Sequence, residues 1–562
     1  PNRNSRPAIL LRESIREGKK IIKRTLANLS ALSLEQAEAI RAVLKGEPLA
    51  PLDALFEIIR SRAHGAVQAI GTTMRRLRLA ALLGRESCRE RDLVLAMIAA
   101  RVLDPQSKLA TARSWGHSTL GEWFGVSDAD ENELYAALDW LYARQGAIEQ
   151  RLAERHLQEG GRVLYDLSSS YFEGVTCALA ERGYSRDGKQ GLLQVNYGLL
   201  TDARGCPVAI AVFPGNTSDP QTLLEQVDKL QQDFALQSMV IVGDRGMLSQ
   251  KQIDALNTRD GVDWITALKS GAIRRLVDDG VIQMDLFDEV NLYECTHEDF
   301  PGERLVVCRN PALAAQRAAK RRELLAATCA QLEQVQQMVA NGRLKDCDKI
   351  GVRVGRVINK YKMAKHLVLD IATAHFAFHI DEAKVAEEAA LDGLYVIRTP
   401  LPVGEVSAAD AVRYYKDLGH VESAFRTLKS ADLQIRPIYH HTEERVRAHL
   451  FLCMLAYYVT WHMSEAWRAL LFADEDLARR AERDPVAPAT RSDAALQKVA
   501  SKQLADGSPA HSFRTLLNEL STIVRNTCRR HDAASGDEIF EIDTTPNAKQ
   551  AQALDLIQQI RL

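Results

Sequence analysis

Three acidic residues occupy places where a carboxylate needs a reason to be. Asp166 closes an apolar run in RVLYDL, Asp244 closes another in SMVIVGD between Gly243 and Arg245, and Glu422 lies in YYKDLGHVESAFRTLKS. An ionised carboxylate is costly to bury at the end of a core strand. Three converging acids suit Mg²⁺, which prefers hard oxygen ligands, and Mn²⁺ would be accepted by the same set. Two such ions per site, roughly 3.5–4 Å apart, can activate an attacking oxygen and stabilise a leaving one in a phosphodiester displacement. Without a cation the cluster would repel itself and raise its own pKa values. One aspartate at a strand end reads equally well as a cap or a turn residue. Three acids in order, each on the element that can present it, point to chemistry.

Those elements follow from apolar spacing. RVLYDL reads as a buried strand, LLQVNYGLLTDARGCPVAIAVFPGN as two strands joined by a turn at residues 202–205, and DPQTLLEQVDKLQQDF as a helix with Asp219 at its N-cap and Pro220 in its first turn. SMVIVGD is a further strand, SQKQIDALN a helix and VDWITAL a strand. The order β, β-β hairpin, α, β, α, β resembles an RNase H-like mixed sheet, three antiparallel strands followed by parallel ones, in which the Asp166 and Asp244 strands are neighbours. Residues 270–391 interrupt it with strand-like and helical stretches, and strand character returns at GLYVIRT. A helix is expected from about Ala409 to Ser430. On it Leu418, Val421, Phe425 and Leu428 form an apolar stripe facing the sheet, with Glu422, Arg426 and Lys429 on the adjoining stripe.

In this pattern the chain resembles the insertion-sequence transposases whose third acid lies in a Y-x2-R-x3-E-x6-K signature. Tyr415, Glu422 and Lys429 match in register, while Leu418 stands at the arginine position and Arg426, one turn beyond Glu422, is the candidate substitute. The resemblance covers about residues 160–450 and includes the G-D-R-G turn at Asp244 and an insertion between the second and third acids. It implies a Mg²⁺-dependent DDE transposase in which Asp166, Asp244 and Glu422 are both catalytic and metal-binding. It also implies that Tyr415, Lys429 and Arg426 contact DNA phosphates. Water then hydrolyses a strand at the transposon end, and the freed 3′-hydroxyl attacks the opposite strand or target DNA. The implied partners are double-stranded transposon-end and target DNA, held by a homodimer on paired ends. Arg245 and Lys269, which follow the sheet strands, are further candidate phosphate contacts, and each reads equally as a surface cation.

The rest of the chain fits this reading. The formal net charge is −2, yet residues 1–120 carry 21 Lys and Arg against 11 Asp and Glu, a balance of +10. Eight basic residues, among them Arg3, Arg6, Arg12, Arg16, Lys19, Lys20, Lys23 and Arg24, fall within the first 30. That asymmetry suits a polyanionic partner, although charge alone reads equally as a solvated face. Residues 1–33 read as a basic β-hairpin-like segment with a turn at 16–18. Residues 34–160, including DALFEIIRSRAHGAVQAI, read as an all-helical DNA-binding or dimerisation domain in which Arg75, Arg76 and Arg78 beside Thr72 and Thr73 could meet phosphates. The sheet domain divides into 161–269 and 392–448 around the inserted α+β subdomain, and 449–562 reads as helical.

Nine cysteines with no C-x-x-C pair argue against a zinc site or disulfide framework. His440 and His441 lack a third ligand at a recognisable spacing and read as ordinary histidines, Trp264 and Trp461 as core residues, and Asn216 to Ser218 either as lining of the site or as a turn into the next helix. No apolar run reaches 18 residues, and HLFLCMLAYYVTWHM is read as a buried helix. A prokaryotic, cytoplasmic, nucleoid-associated protein without a membrane partner is expected. The chain opens on Pro1 rather than methionine, which suggests residues lost or processed ahead of it. Two rivals remain: a catalytically inactive DNA-binding relative acting as repressor or end-binding protein, and a simple nuclease that cuts without joining.

Overall fold

A computed structural model describes residues 8–46, 56–174, 176–288, 290–476, 482–488, 491–530 and 539–562; Arg3 and Arg6 lie outside them. The chain divides into two units, Pro1–Arg62 with Val524–Thr544, and Ala63–Ile523 with Thr545–Leu562.

The larger unit is built on an eight-stranded mixed sheet. From one edge to the other its strands are Pro207–Pro214, Gln194–Asp202, Gly161–Tyr171, Met239–Gly243, Val262–Ala267, Leu394–Thr399, Arg304–Arg309 and Leu292–Cys295. The first three are mutually antiparallel, and the next two run parallel to Gly161–Tyr171. This is the three-then-parallel order expected from the sequence. Gly198 lies flat beneath the Tyr165 ring, where a Cβ would come within 2.2 Å of the phenol oxygen. The helix Asp219–Gln232 begins one residue earlier than expected, because Ser218 rather than Asp219 is its N-cap and forms a capping box with Gln221.

Strands from within the interrupted stretch extend this same sheet: Leu394–Thr399 pairs with Arg304–Arg309, which pairs with Leu292–Cys295. Ile273, Leu276, Phe300 and Leu305 pack with Leu394 and Val396 in a core of their own, and the remainder forms another. There the helices Pro311–Ala340 and Cys347–Tyr361 pack with the hairpin Leu367–Ala372/His375–Ile380 around Leu332, Val335, Ile350, Val354 and Phe376.

The helices Gly65–Arg76, Arg89–Leu103, Glu131–Tyr142 and Gln145–His156 share one continuous core with the sheet. At its centre runs the helix Glu443–Ala466. Apolar over most of its circumference, it buries nearly every residue from Val446 to Met463, with Arg447 and Trp461 half-buried. Among the described residues no helix is long and apolar enough to cross a membrane.

The smaller unit departs from the sequence reading in two places. The stretch expected to begin a helix at Asp53 instead forms a strand, Phe56–Ala63, and the C-terminal region expected to be all helical contains the strands Val524–Arg530 and Ile539–Asp543. The three form one sheet. FEIIRSRA pairs β-branched residues with alternating arginines, a pattern a strand accepts once partner strands supply its hydrogen bonds. Those partners lie more than 460 residues away in sequence, as the 2.6 Å bond from Ser61 to Asn526 shows. Arg62 pairs with Glu541 at 2.8 Å and Arg529 with Glu57 at 3.1 Å.

The N-terminal hairpin forms as expected, Leu10–Glu17 against Lys20–Asn28, with Gly18 at φ +60° in the turn. Its register sorts the charges. Residues directly opposite share a face and alternate residues share a face. The pairs Arg12↔Thr25, Ser14↔Lys23 and Arg16↔Ile21 therefore place three cations and no acid on one side. The pairs Glu13↔Arg24, Ile15↔Ile22 and Glu17↔Lys20 place balanced charges on the other. All five cations are exposed.

Candidate active site

Asp166 does not end its strand, which runs on to Tyr171 against Gln194–Asp202. It sits instead where the parallel neighbour stops. Tyr165 is the last residue paired with that neighbour, opposite Gly243, so Asp166 and Asp244 each follow the final matched pair and leave adjacent strands at one level. The side chain of Asp166 is half-buried and that of Asp244 exposed. Asp166 Oδ1 accepts the N–H of Leu167 at 2.8 Å, and Asp244 Oδ2 accepts that of Gly246 at 3.2 Å.

Glu422 comes from the helix Leu418–Lys429, whose buried residues are Leu418, Val421, Ala424, Phe425 and Leu428. This is the expected stripe. It is seated on the sheet through Phe425, whose ring meets that of Tyr197 edge-on at 5.8 Å. Glu422 and Arg426 are exposed beside it. The single helix expected from about Ala409 to Ser430 is two, Ala408–Lys416 and Leu418–Lys429, parted at Asp417. The break is held by a 2.6 Å ion pair from Arg162 to Asp417 and by an i→i+3 bond from the His420 N–H to the Asp417 carbonyl at 2.8 Å. Tyr415 therefore belongs to the first helix, and its hydroxyl donates to Asp244 Oδ1 at 3.0 Å. Burial and the neighbouring Asp244 carboxylate push the Tyr415 phenol up, so it remains a donor.

Burial pushes the Asp166 carboxyl up to about 7; repulsion from Asp244 and Glu422 adds to this, while the Leu167 N–H and Arg186 oppose it. The three acids therefore sense one another, although their oxygens do not all approach within 4.8 Å. An all-oxygen donor set with uncompensated negative charge fits hard divalent cations.

Lys429 is turned inward. Its ammonium donates to the Ser169 carbonyl at 2.6 Å and to Asp187 Oδ1 at 3.0 Å, and Asp187, 1% exposed, also pairs with Arg436. Desolvation pulls the lysine's pKa down. This cluster ties down the loop after the Asp166 strand. Ser169 Oγ accepts the Arg186 N–H at 3.0 Å, and the Arg186 guanidinium grips both oxygens of Asp219 at 2.6 and 2.7 Å. Arg186, Asp187 and Asp219 were not singled out as site residues from the sequence. Arg186 and Asp187 are loop residues without periodicity, marked only by the charge density of RGYSRDGK, and Asp219 reads from the sequence only as a helix-start residue.

Arg245 is exposed beside Asp244. Lys269 is exposed as the N-cap of the helix Ser270–Asp278, following the strand parallel to that of Asp244. Arg75, Arg76 and Arg78 are exposed on or just after the helix Gly65–Arg76, within the helical layer. Arg75 bonds Thr72 at 3.1 Å and stacks over Trp123 at 4.9 Å, while Arg76 donates to the Ile560 carbonyl at 3.0 Å. Trp264 is fully buried, as expected, and Trp461 is half-buried beneath Arg204. His440 packs on His449 and Tyr135, and burial pulls its pKa down to about 3.

Paired strands delivering two aspartates and a packed helix delivering a glutamate define the class of DDE transposases. Residues 166–459, more than half of the chain, match the family model described as the transposase DDE domain. The chain belongs to that family. Its residues 1–51 match the N-terminal domain of IS1634 family transposases, which makes it an insertion-sequence member. A cryo-EM structure of the piggyBac transposase synaptic complex with hairpin DNA is similar at 9% identity, covering 81% of this chain and 78% of that one, with a TM-score of 0.33. No curated protein sequence gives a significant match.

Proposed function

We propose that this transposase cuts the ends of its element and joins them to target DNA through Asp166, Asp244 and Glu422, on a core of RNase H-like type. The observation that carries the reading is the strand register, which sets Asp166 and Asp244 side by side under the Glu422 helix. When bound, two Mg²⁺ or Mn²⁺ ions supply the Lewis acidity that activates a nucleophilic oxygen and steadies the leaving one. Asp166 and Asp244 hold them from the sheet and Glu422 closes the site from the helix. Tyr415 orients the Asp244 carboxylate by its hydrogen bond. The Lys429–Asp187 pair acts indirectly, fixing the loop that carries Arg186. Arg245, Lys269 and Arg426 are the phosphate contacts nearest the acids. Arg75, Arg76 and Arg78 serve DNA farther along, and the basic hairpin face carries sequence-independent affinity.

The division of labour follows the chain: end binding by residues 1–33, DNA contact and pairing by the helical region 34–160, catalysis by 161–269 with 392–448, and supporting roles for the insertion 270–391 and for 449–562. The enzyme acts as a homodimer on paired ends, in the cytoplasm of a prokaryotic cell and associated with its nucleoid. Incubation of the protein with its own element's end DNA and a target plasmid, in Mg²⁺ or in EDTA, tests the proposal. Mg²⁺-dependent end cleavage followed by joined product is expected. Cleavage without joining would leave a nuclease, and metal-independent binding without cleavage would leave an inactive end-binding protein.

A further inference from the structure

Remote from the carboxylates in chemistry, three soft or borderline donors converge from distant parts of the larger unit. His156 ends the helix Gln145–His156, Cys206 follows the turn between the strands Gln194–Asp202 and Pro207–Pro214, and His462 lies on the central helix Glu443–Ala466. One ligand atom from each lies within 4.8 Å of the other two. Cys206 Sγ is 3.9 Å from His462 Nε2. In a tetrahedral zinc site with bonds of about 2.3 Å to sulfur and 2.0–2.1 Å to nitrogen, such a pair stands roughly 3.6 Å apart, so a small contraction suffices.

We propose that His156, Cys206 and His462 form a second metal centre, taking a borderline-soft divalent cation of the zinc type with two nitrogens and one sulfur. The donors are prepared for it. Cys206 is fully buried and His462 is 9% exposed. Burial keeps both imidazoles neutral and the Cys206 thiol protonated in the metal-free protein, so the sulfur is the one donor that must lose a proton on binding. The turn is fixed around the thiol: Asp202 accepts the N–H of Arg204 at 2.8 Å and of Cys206 at 2.9 Å, and Gly205 supplies φ +85°. The Tyr458 hydroxyl, 2.9 Å from His156 Nε2, is the adjacent oxygen for a fourth position.

Arg155 and Arg204 face the histidines and oppose a cation. Arg204 is held by Asp202 at 2.7 Å and Arg155 donates to the Leu77 carbonyl at 3.0 Å. On binding, the Cys206 thiol releases its proton to solvent as sulfur bonds the metal, so the thiolate and Asp202 together balance the divalent charge. The centre would pin the helical layer to the sheet hairpin. Its donor set is orthogonal to the hard-oxygen site of the acids, so it stands whether or not the transposase chemistry does.

Metal analysis of the purified protein, followed by chelator stripping and Co²⁺ titration, tests the proposal. One zinc per chain is expected, with a sulfur-to-cobalt charge-transfer band at one equivalent that oxygen ligands cannot produce. The band should vanish in Cys206→Ser, and His462→Gln should lower zinc affinity about 100-fold or more, the upper end of what even outer-shell changes do. Wild-type protein that carries no zinc and shows no sulfur band at saturating cobalt would overturn the proposal. A band unchanged in Cys206→Ser would overturn it too.

Discussion

Among the three acids proposed to hold the metal, Asp166 is the one whose proton is poised near neutrality. Its pKa is raised from the ordinary carboxylate range to about 7. In the metal-free protein the protonated form is favoured on folding, so its contribution to stability is complete below about pH 4 and is lost as pH rises through 7. Metal binding runs the other way, since a cation requires the carboxylate. Divalent-metal affinity should therefore fall about tenfold per pH unit below 7 and level off above it, with uptake of metal releasing close to one proton at pH 6. Calorimetric titration in buffers of different ionisation enthalpy reads this directly. Affinity independent of pH between 5.5 and 7 would contradict it.

Tyr415 makes a second residue-scale prediction. A hydrogen bond to a charged group contributes about 1.5–3 kcal/mol, a factor of roughly 10–100. Because Asp244 is exposed, Tyr415→Phe should sit at the low end, about a tenfold loss of cleavage rate with an unchanged melting temperature. An equal loss of both would mean that the tyrosine is merely packing.

At the scale of elements, the buried Asp187 fastens the loop after the Asp166 strand to the Glu422 helix through Lys429, with Arg436 alongside. Removing one partner of such a cluster strands buried charge and costs about 3–5 kcal/mol. Asp187→Ala should lower stability by about 3 kcal/mol in urea unfolding, the low end because Arg436 is 30% exposed. The double variant Asp187→Leu/Lys429→Met should recover much of that loss.

What was legible at this scale depended on how local the cause was. The strands around Asp166 and Asp244 and the stripe of the Glu422 helix follow from apolar spacing within a few residues. Four features did not. The strand Phe56–Ala63 needs partners from the far end of the chain. The break at Asp417 depends on Arg162, 255 residues earlier. The reach of the Asp166 strand to Tyr171 depends on its antiparallel partner. The inward turn of Lys429 depends on a loop aspartate that no pattern marks. In each case a residue distant in sequence decides the local conformation.

For the whole molecule, the net charge of −2 conceals a segregation of charge that suits a polyanionic partner. On the N-terminal hairpin the register concentrates Arg12, Arg16 and Lys23 on one face and neutralises the other. If that face meets phosphates, the triple substitution to alanine should weaken DNA binding alike on all sequences. It should also make the dependence of log affinity on log salt shallower by about 2.7, three contacts at roughly 0.9 each. Fluorescence anisotropy at several salt concentrations measures both. Replacing Lys20 and Arg24, which oppose glutamates, should change the slope less; an equal change would show that the facial segregation is irrelevant. The helix Glu443–Ala466 runs through a core shared by the helical layer and the sheet, so the proposed DNA contacts and the three acids within the larger unit are held in one packed body.

The central claim is that three carboxylates act as one metal site, and the most direct measurement compares Asp166→Asn, Asp244→Asn and Glu422→Gln with the wild type in Mg²⁺-dependent cleavage of end DNA. Folding is monitored by circular dichroism and end binding by gel shift. Each variant should keep its fold and bind end DNA while losing cleavage by a factor of about 1,000 or more, an effect of roughly 4 kcal/mol on the barrier. A folded, DNA-binding variant of any one of the three that still cleaves at near the wild-type rate would contradict the account.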